Sequence, residues 1–275
     1  MLGKLIKQDF RALSRTLFPL QIGVLAGGLA AMLLLRLILV LYAAGGQGDT
    51  SFIVDGMVMG ISGTVVFLIC LALMASMLVT LIFILLHFYR NLMGNEGYLT
   101  FTLPVSTGGI LLSKVITGML WMAINLAAVC VAGLIIIVFG TSAAHFINPD
   151  ALKILGSLFR ILPEAANYVP LWLLVPECIL WLITMTAAQL MELYFAIVVG
   201  GQMAKKNKIL AAIGMYLVIN LVVGVVKQVF TFGSLGVFGL GAMAVNDSVN
   251  FTGFAAATLG WSSLLSAALF AGFFF

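Results

Sequence analysis

Few side chains in this chain can do covalent chemistry, and their spacing argues against it. Ser62 sits in Gly60-Ile61-Ser62-Gly63, a G-x-S-G setting in which a serine can act as an intramembrane nucleophile. Such a serine needs a histidine base within hydrogen-bond reach. The histidines are His87, on the same apolar run and toward its other end, and His145, in a separate connection. Neither has the spacing of a base for Ser62. No H-E-x-x-H occurs, so a zinc protease lacks its ligands. Cys70, Cys130 and Cys178 lie inside apolar runs and form neither a disulfide framework nor a metal motif. No G-x-x-x-x-G-K-[ST] is present, so the chain has no phosphate-binding loop of that kind. The expectation is a non-enzyme with no catalytic, cofactor-binding or metal-binding residue. Its energy then comes from another polypeptide or from an ion gradient.

The elements that carry these residues are membrane helices. Of the 275 residues, 63% are hydrophobic and 8% charged, and the mean hydropathy is +1.24. A soluble domain is about 45–50% apolar and about 25% charged. Soluble enzymes, disordered chains and nucleic-acid-binding domains are thereby excluded, and a net charge of +4 on 13 basic residues points to no nucleic acid. A span needs roughly 20 apolar residues. Six apolar runs meet this, at 18–44, 57–88, 107–139, 170–199, 209–231 and 258–275. The expected fold is all-α, a polytopic bundle of six transmembrane helices in one domain covering 1–275.

Lysine and arginine set the orientation. Lys4, Lys7, Arg11, Arg15, Arg90, Lys114, Lys205, Lys206 and Lys208 fall on one side, nine of the 13 basic residues. Lys153 and Arg160 fall on the other, together with Asp49, Asp55, Asp150, Glu164, Glu177 and Asp247. The basic side is expected to be cytoplasmic and to hold both termini. A basic tail would be usual after the last run, so the sequence is expected to lack one.

Residues 2–18 are amphipathic. Leu2, Leu5, Ile6, Phe10, Leu13 and Leu17 share one helical face, and Lys4, Lys7, Arg11 and Arg15 take the other. Basic residues continue too far for a cleaved signal peptide. The segment 1–17 is read as an interfacial helix on anionic lipid, or as a flank that orients the first span. Pro19 is expected to break it from that span. The cytoplasmic loop 89–106 holds Tyr98, Leu99, Phe101 and Leu103, which are costly to expose. Asn95 and Glu96 suit a helix start, Pro104 ends it, and Ser106 can cap the next span. This short helix either presents an apolar and acidic knob to a partner or packs back on its own bundle. Outside, 140–169 holds an amphipathic helix begun by Asn148-Pro149-Asp150, over the transport path or capping the bundle.

Charged residues within the runs are candidates by default. Arg36 and Lys227 are expected near the outer interface, snorkelling or attracting an anionic group of substrate or lipid. Glu192, with Gln189 and Met185, is expected on one helical face, paired with Lys205 or Lys208 or lining an inner vestibule. Asn125 and Asn220 are candidates for interhelical hydrogen bonds. Arg36, Glu192 and Lys227 are therefore possible path or lipid contacts.

The run Asn91-Leu92-Met93-Gly94-Asn95-Glu96-Gly97-Tyr98-Leu99-Thr100-Phe101-Thr102-Leu103-Pro104-Val105-Ser106, followed by Ile110-Leu111-Leu112-Ser113-Lys114, resembles a signature of ABC-type permeases of the type-2 exporter subfamily, in the form found in Gram-positive anaerobes. The amphipathic start and the six-span count are similar too. Gly108-Gly109 departs from the pattern where a capping acid could stand. The resemblance implies that 89–106 is the coupling loop docking on an ATPase subunit, through Asn95, Glu96, Tyr98, Leu99, Phe101, Leu103 and Pro104. It implies that the interfacial helix touches the same subunit, and that 232–257 forms short external re-entrant helices. It also implies two ATPase copies carrying ATP and magnesium, a second permease subunit, identical or paralogous, and a bacterial cytoplasmic membrane. The expected function is the membrane subunit of an exporter for a hydrophobic or amphipathic peptide, drug or lipid. The alternative is a gradient-driven carrier or channel without an ATPase.

Overall fold

The computed structural model describes residues 2–44, 51–93, 106–142, 147–166, 171–203, 208–245 and 251–274. These are helical almost throughout, and no strand occurs among them. The helices are α1 (Leu2–Ala44), α2 (Ser51–Met93), α3 (Thr107–Ile135), α4 (Pro149–Ala166), α5 (Leu171–Met203), α6 (Lys208–Val245) and α7 (Phe251–Phe274), and a π turn at Ile136–Gly140 extends α3. Among the described residues, five helices are long and apolar enough to cross a membrane, namely α1, α2, α3 with its π turn, α5 and α6. The protein is a multi-pass helical membrane protein.

Pro19 does not break the N-terminal segment. α1 runs through it for 43 residues, about 64 Å, roughly twice the hydrocarbon thickness. Proline removes one hydrogen bond and crowds the preceding turn, a cost that long apolar helices tolerate. Leu13, Leu17 and Gln21 are buried on both sides of it, so packing holds the helix in register. The expected amphipathicity is present: Lys4, Lys7, Arg11 and Arg15 are all exposed, while Leu13 and Leu17 are buried. The stretch 232–257 is likewise less broken than its glycines suggest. Residues 232–245 continue α6 and 251–257 open α7, while 246–250 lie outside the described residues.

Two capping expectations are met. Ser106 accepts the Gly109 amide on its hydroxyl at 3.3 Å, opening α3. The Asn148 side chain accepts the Asp150 amide at 2.9 Å, opening α4. It thereby satisfies an amide that the first helical turn leaves without a partner.

The chain forms two compact units, and α1, α2, α3 and α4 each contribute to both. One unit comprises Phe10–Ile84 and Leu120–Ile161. Within it α1 and α3 run parallel: the Asn125 amide donates to Gln21 at 3.1 Å, and Met32 lies against Gly140. Phe10 stacks on Trp121 with ring centres 5.0 Å apart. Between these contacts the helices approach closely, and a Cβ on Gly28 would stand 2.8 Å from that of Ala132. Gly28→Ala is therefore expected to destabilise the chain by about 1–3 kcal/mol. Gly28→Ala/Ala132→Gly returns the missing space and is expected to recover most of that loss in detergent unfolding. Equal stability of all three proteins would show that these helices do not pack there.

The other unit comprises Met1–Asp9, Leu85–Met119 and Leu162–Phe275. In it α5 and α6 form an antiparallel hairpin. Gly200 lies against Ala212, and Ala196, Ile219 and Val223 form a buried core with Met215, Tyr216, Leu269 and Phe273. α7 runs parallel to α5. Ser266 reaches Met185 at 3.5 Å, and the rings of Phe195 and Phe273 lie 5.2 Å apart. Phe274, near the end of α7, lies against Gly108 in the first turn of α3, where a Cβ would come within 3.3 Å of the ring. Close ring contact accounts for glycine at a helix start where an acid would cap better.

Candidate functional site

The described residues of this second unit hold one concentrated polar site, and it gathers three helix ends. Asp9 of α1 is 7% exposed. Its Oδ1 accepts the Lys114 ammonium from α3 and lies 3.6 Å from Nε2 of His87 on α2. The Ser113 hydroxyl lies 3.2 Å from the Asp9 Oδ2 and 2.8 Å from the Ile110 carbonyl, so its single proton is shared between the two acceptors. Asn91, one turn beyond His87, places its amide nitrogen 3.2 Å from the same imidazole nitrogen. Below the ion pair, Tyr194 of α5 stacks on Phe88 with ring centres 3.9 Å apart and planes 4° from parallel. The Tyr194 hydroxyl donates to the Lys114 carbonyl at 3.4 Å. Phe88 and Tyr194 are almost fully buried and exclude water from beneath the charges.

The local sequence explains this placement. Asp9 lies one turn after Leu5 and one turn before Leu13, so the carboxylate occupies the apolar face of α1 and turns inward. Ser113 and Lys114 follow the Ser106 cap by about two turns. A buried carboxylate of this kind persists only with a countercharge and hydrogen bonds. The site supplies both, from α2 and α3. These contacts tie α1, α2 and α3 together.

A second charged pair lies in the α5–α6 seam. Glu192 is 3% exposed, and its Oε2 is 3.8 Å from Nζ of Lys227. Its Oε1 has no hydrogen-bond partner among the described residues. Glu192 pairs with Lys227 because the hairpin brings α6 alongside α5; the expected partner Lys205 and the side chain of Lys208 lie outside the described residues. Glu192 shares a helical face with Gln189 and Met185, as their spacing predicts, but is buried where they are exposed. Lys227, expected near the outer interface, is paired with Glu192. Arg36 is half-buried. Lys114 is buried in the Asp9 tie. Asn125 bonds to another helix as expected, whereas Asn220 donates within α6, to the Tyr216 hydroxyl at 3.0 Å.

The coupling-loop candidates Asn95, Glu96, Tyr98, Leu99, Phe101, Leu103 and Pro104 lie outside the described residues. What the structure describes is the two stems that flank them. Asp9 and Tyr194 were not singled out from the sequence as site residues; His87 stood out only as a base for Ser62, and Ser113 only within the permease-like run. The available signal was an acid in the middle of an apolar helical face. No family model, curated protein or solved structure matches the chain.

Proposed function

We propose that the chain is the membrane-spanning subunit of an ATP-driven exporter, coupled to a separate ATPase through the loop 89–106. The observation that carries this reading is the Asp9 tie. One carboxylate engages His87 on the arm entering that segment and Ser113 and Lys114 on the arm leaving it. A passive linker has no use for a buried polar anchor at its foot, which costs desolvation in an otherwise apolar chain. A connection with a fixed foot can pass the push of a docked partner into α2 and α3. Tyr98, Leu99, Phe101 and Leu103 give such a partner an apolar surface to cover.

The alternating directions of α5, α6 and α7 support six crossings, with α7 the sixth at 24 residues, about 36 Å. Both termini then lie on one side, the basic N-terminal face toward the cytoplasm of a bacterial cell. Residues 232–257 would form the outward excursion between the last two crossings. Two permease chains would enclose the path, and closure of two ATPase chains would shift it between inward and outward states. The substrate is a hydrophobic or amphipathic molecule.

The test is a Tyr98→Ala/Phe101→Ala double variant of the chain, expressed with an ATPase from its operon. Removing two aromatic anchors is expected to weaken co-purification by about tenfold or more and to abolish transport, with membrane insertion intact. Full co-purification and full transport would overturn the reading. The buried carboxylate of Glu192 favours a second reading, a gradient-driven carrier. Transport by the purified chain alone, driven by an ion gradient, would establish it.

A further inference from the structure

We propose that Glu192 is a binding point for a lipophilic ammonium ion, which takes the place of the Lys227 ammonium in the seam between α5 and α6. The inference rests on the reading of this chain as a translocation subunit and names a substrate class for it.

The argument starts from an under-coordinated anion. A carboxylate carries about four lone-pair sites. The Glu192 side chain is 4% exposed, its Oε1 has no hydrogen-bond partner among the described residues, and its Oε2 is 3.8 Å from Lys227 Nζ, beyond hydrogen-bond distance. The contrast with Asp9 is sharp, since both Asp9 oxygens accept hydrogen bonds from side chains. A buried charge left this incompletely matched is costly to keep, and a guest that donates hydrogen bonds to Oε1 would relieve the cost.

The surroundings suit a cation with an apolar body. Ala188 and Ala196, one turn to either side of Glu192, are buried and small. Ile219 and Val223 continue the same face of α6 toward Lys227. Gly224 lies one turn before Lys227, and a Cβ there would meet nothing within 4 Å, so the space beside it is open. The Lys227 side chain is 31% exposed, against 4% for its partner. It therefore forms the boundary between the carboxylate and the apolar outer surface of α6, where Val225 and Val226 are exposed. A lysine ammonium on a flexible four-carbon stem can swing outward without moving a helix. An ammonium guest arriving from the bilayer can then take the vacated position with its hydrocarbon beside Gly224. A neutral guest gains nothing from the carboxylate, and an anionic one is repelled.

The test uses the purified chain in phosphatidylcholine nanodiscs with no ATPase present. The probe is dansylcadaverine, a hydrophobic primary ammonium, with uncharged dansylamide as the control. Dansylcadaverine is expected to bind saturably, and about tenfold more tightly than dansylamide. Glu192→Gln/Lys227→Met keeps the seam neutral with no lone buried charge and is expected to reduce the two probes to equal affinity. Lys227→Met alone removes the resident competitor and is expected to tighten dansylcadaverine by about tenfold. A merely structural pair would give the opposite result, weaker binding. Unchanged dansylcadaverine affinity in the double variant overturns the proposal, as does weaker binding in a monodisperse Lys227→Met. Because no ATPase is present, these results stand apart from co-purification with one. Loss of docking in the Tyr98→Ala/Phe101→Ala variant leaves the ammonium site intact, and loss of the site leaves docking intact.

Discussion

Asp9→Ala is expected to be the most damaging single substitution on α1, lowering stability by about 3–5 kcal/mol. The change deprives the Lys114 ammonium, whose side chain is 6% exposed, of its carboxylate, and it strips the Ser113 hydroxyl of an acceptor. A buried ion pair contributes little over a well-packed apolar pair, but removing one partner leaves the desolvation cost of the other. Asp9→Asn/Lys114→Met removes both charges at nearly constant volume and is expected to recover most of the lost stability. The pair Asp150–Lys153 is the internal control. It lies at 3.0 Å, but the side chains are 76% and 78% exposed, so Asp150→Ala should move the unfolding midpoint little. The measurement is urea or thermal unfolding in detergent micelles, followed by tryptophan fluorescence. If Asp9→Ala unfolds with the midpoint of Asp150→Ala, the tie does not hold the three helices. A functional assay then separates stability from coupling. In the neutral double variant, transport restored along with stability would make the tie a mechanical anchor. Transport still lost would make its charge part of the response to the partner.

The sequence made the helical membrane class legible because long apolar runs have few other solutions in lipid. The basic face of α1 was legible from spacing alone, and so were the caps at Ser106 and Asn148, because capping is decided within one turn. Pro19 misled because a local rule was applied where packing decides. The buried line Leu13, Leu17, Gln21 runs past the proline and outweighs one lost hydrogen bond. The partners of Asp9 were not legible, since Lys114 is more than a hundred residues away and charge pairing across such a separation leaves no local pattern. The Glu192 pair was missed for a geometric reason. Counted from the contact of Gly200 with Ala212, Glu192 lies about 12 Å along α5 and Lys227 about 22 Å along α6. Depth along each helix axis therefore places the two charges apart. The gap of about 10 Å is within the combined reach of two long side chains, which axis arithmetic ignores.

Gly200→Ala is expected to have a large effect for the size of the change. A Cβ at this position would stand 2.5 Å from the Ala212 Cα, 2.6 Å from its nitrogen and 2.8 Å from the Ala211 carbonyl carbon. All three are backbone atoms, so no side-chain rotation relieves the clash and the ends of α5 and α6 must separate. Overpacking of this kind costs about 1–3 kcal/mol, and more where the neighbours cannot yield. The control is Gly214→Ala, two residues beyond Ala212 on the same helix, where a Cβ would meet nothing within 4 Å. In a helix, alanine is intrinsically favoured over glycine by about 1 kcal/mol, so this variant should be neutral or more stable. The sign difference between the two substitutions is the informative quantity, because helix propensity acts the same way in both. Separation of the hairpin would also spread the seam in which Glu192 faces Lys227. Gly200→Ala is therefore expected to weaken dansylcadaverine binding, while Gly214→Ala leaves it unchanged. Equal melting of Gly200→Ala and Gly214→Ala in micelles would mean that α5 and α6 do not meet at Gly200, and the depth at which Glu192 faces Lys227 would have to be drawn again.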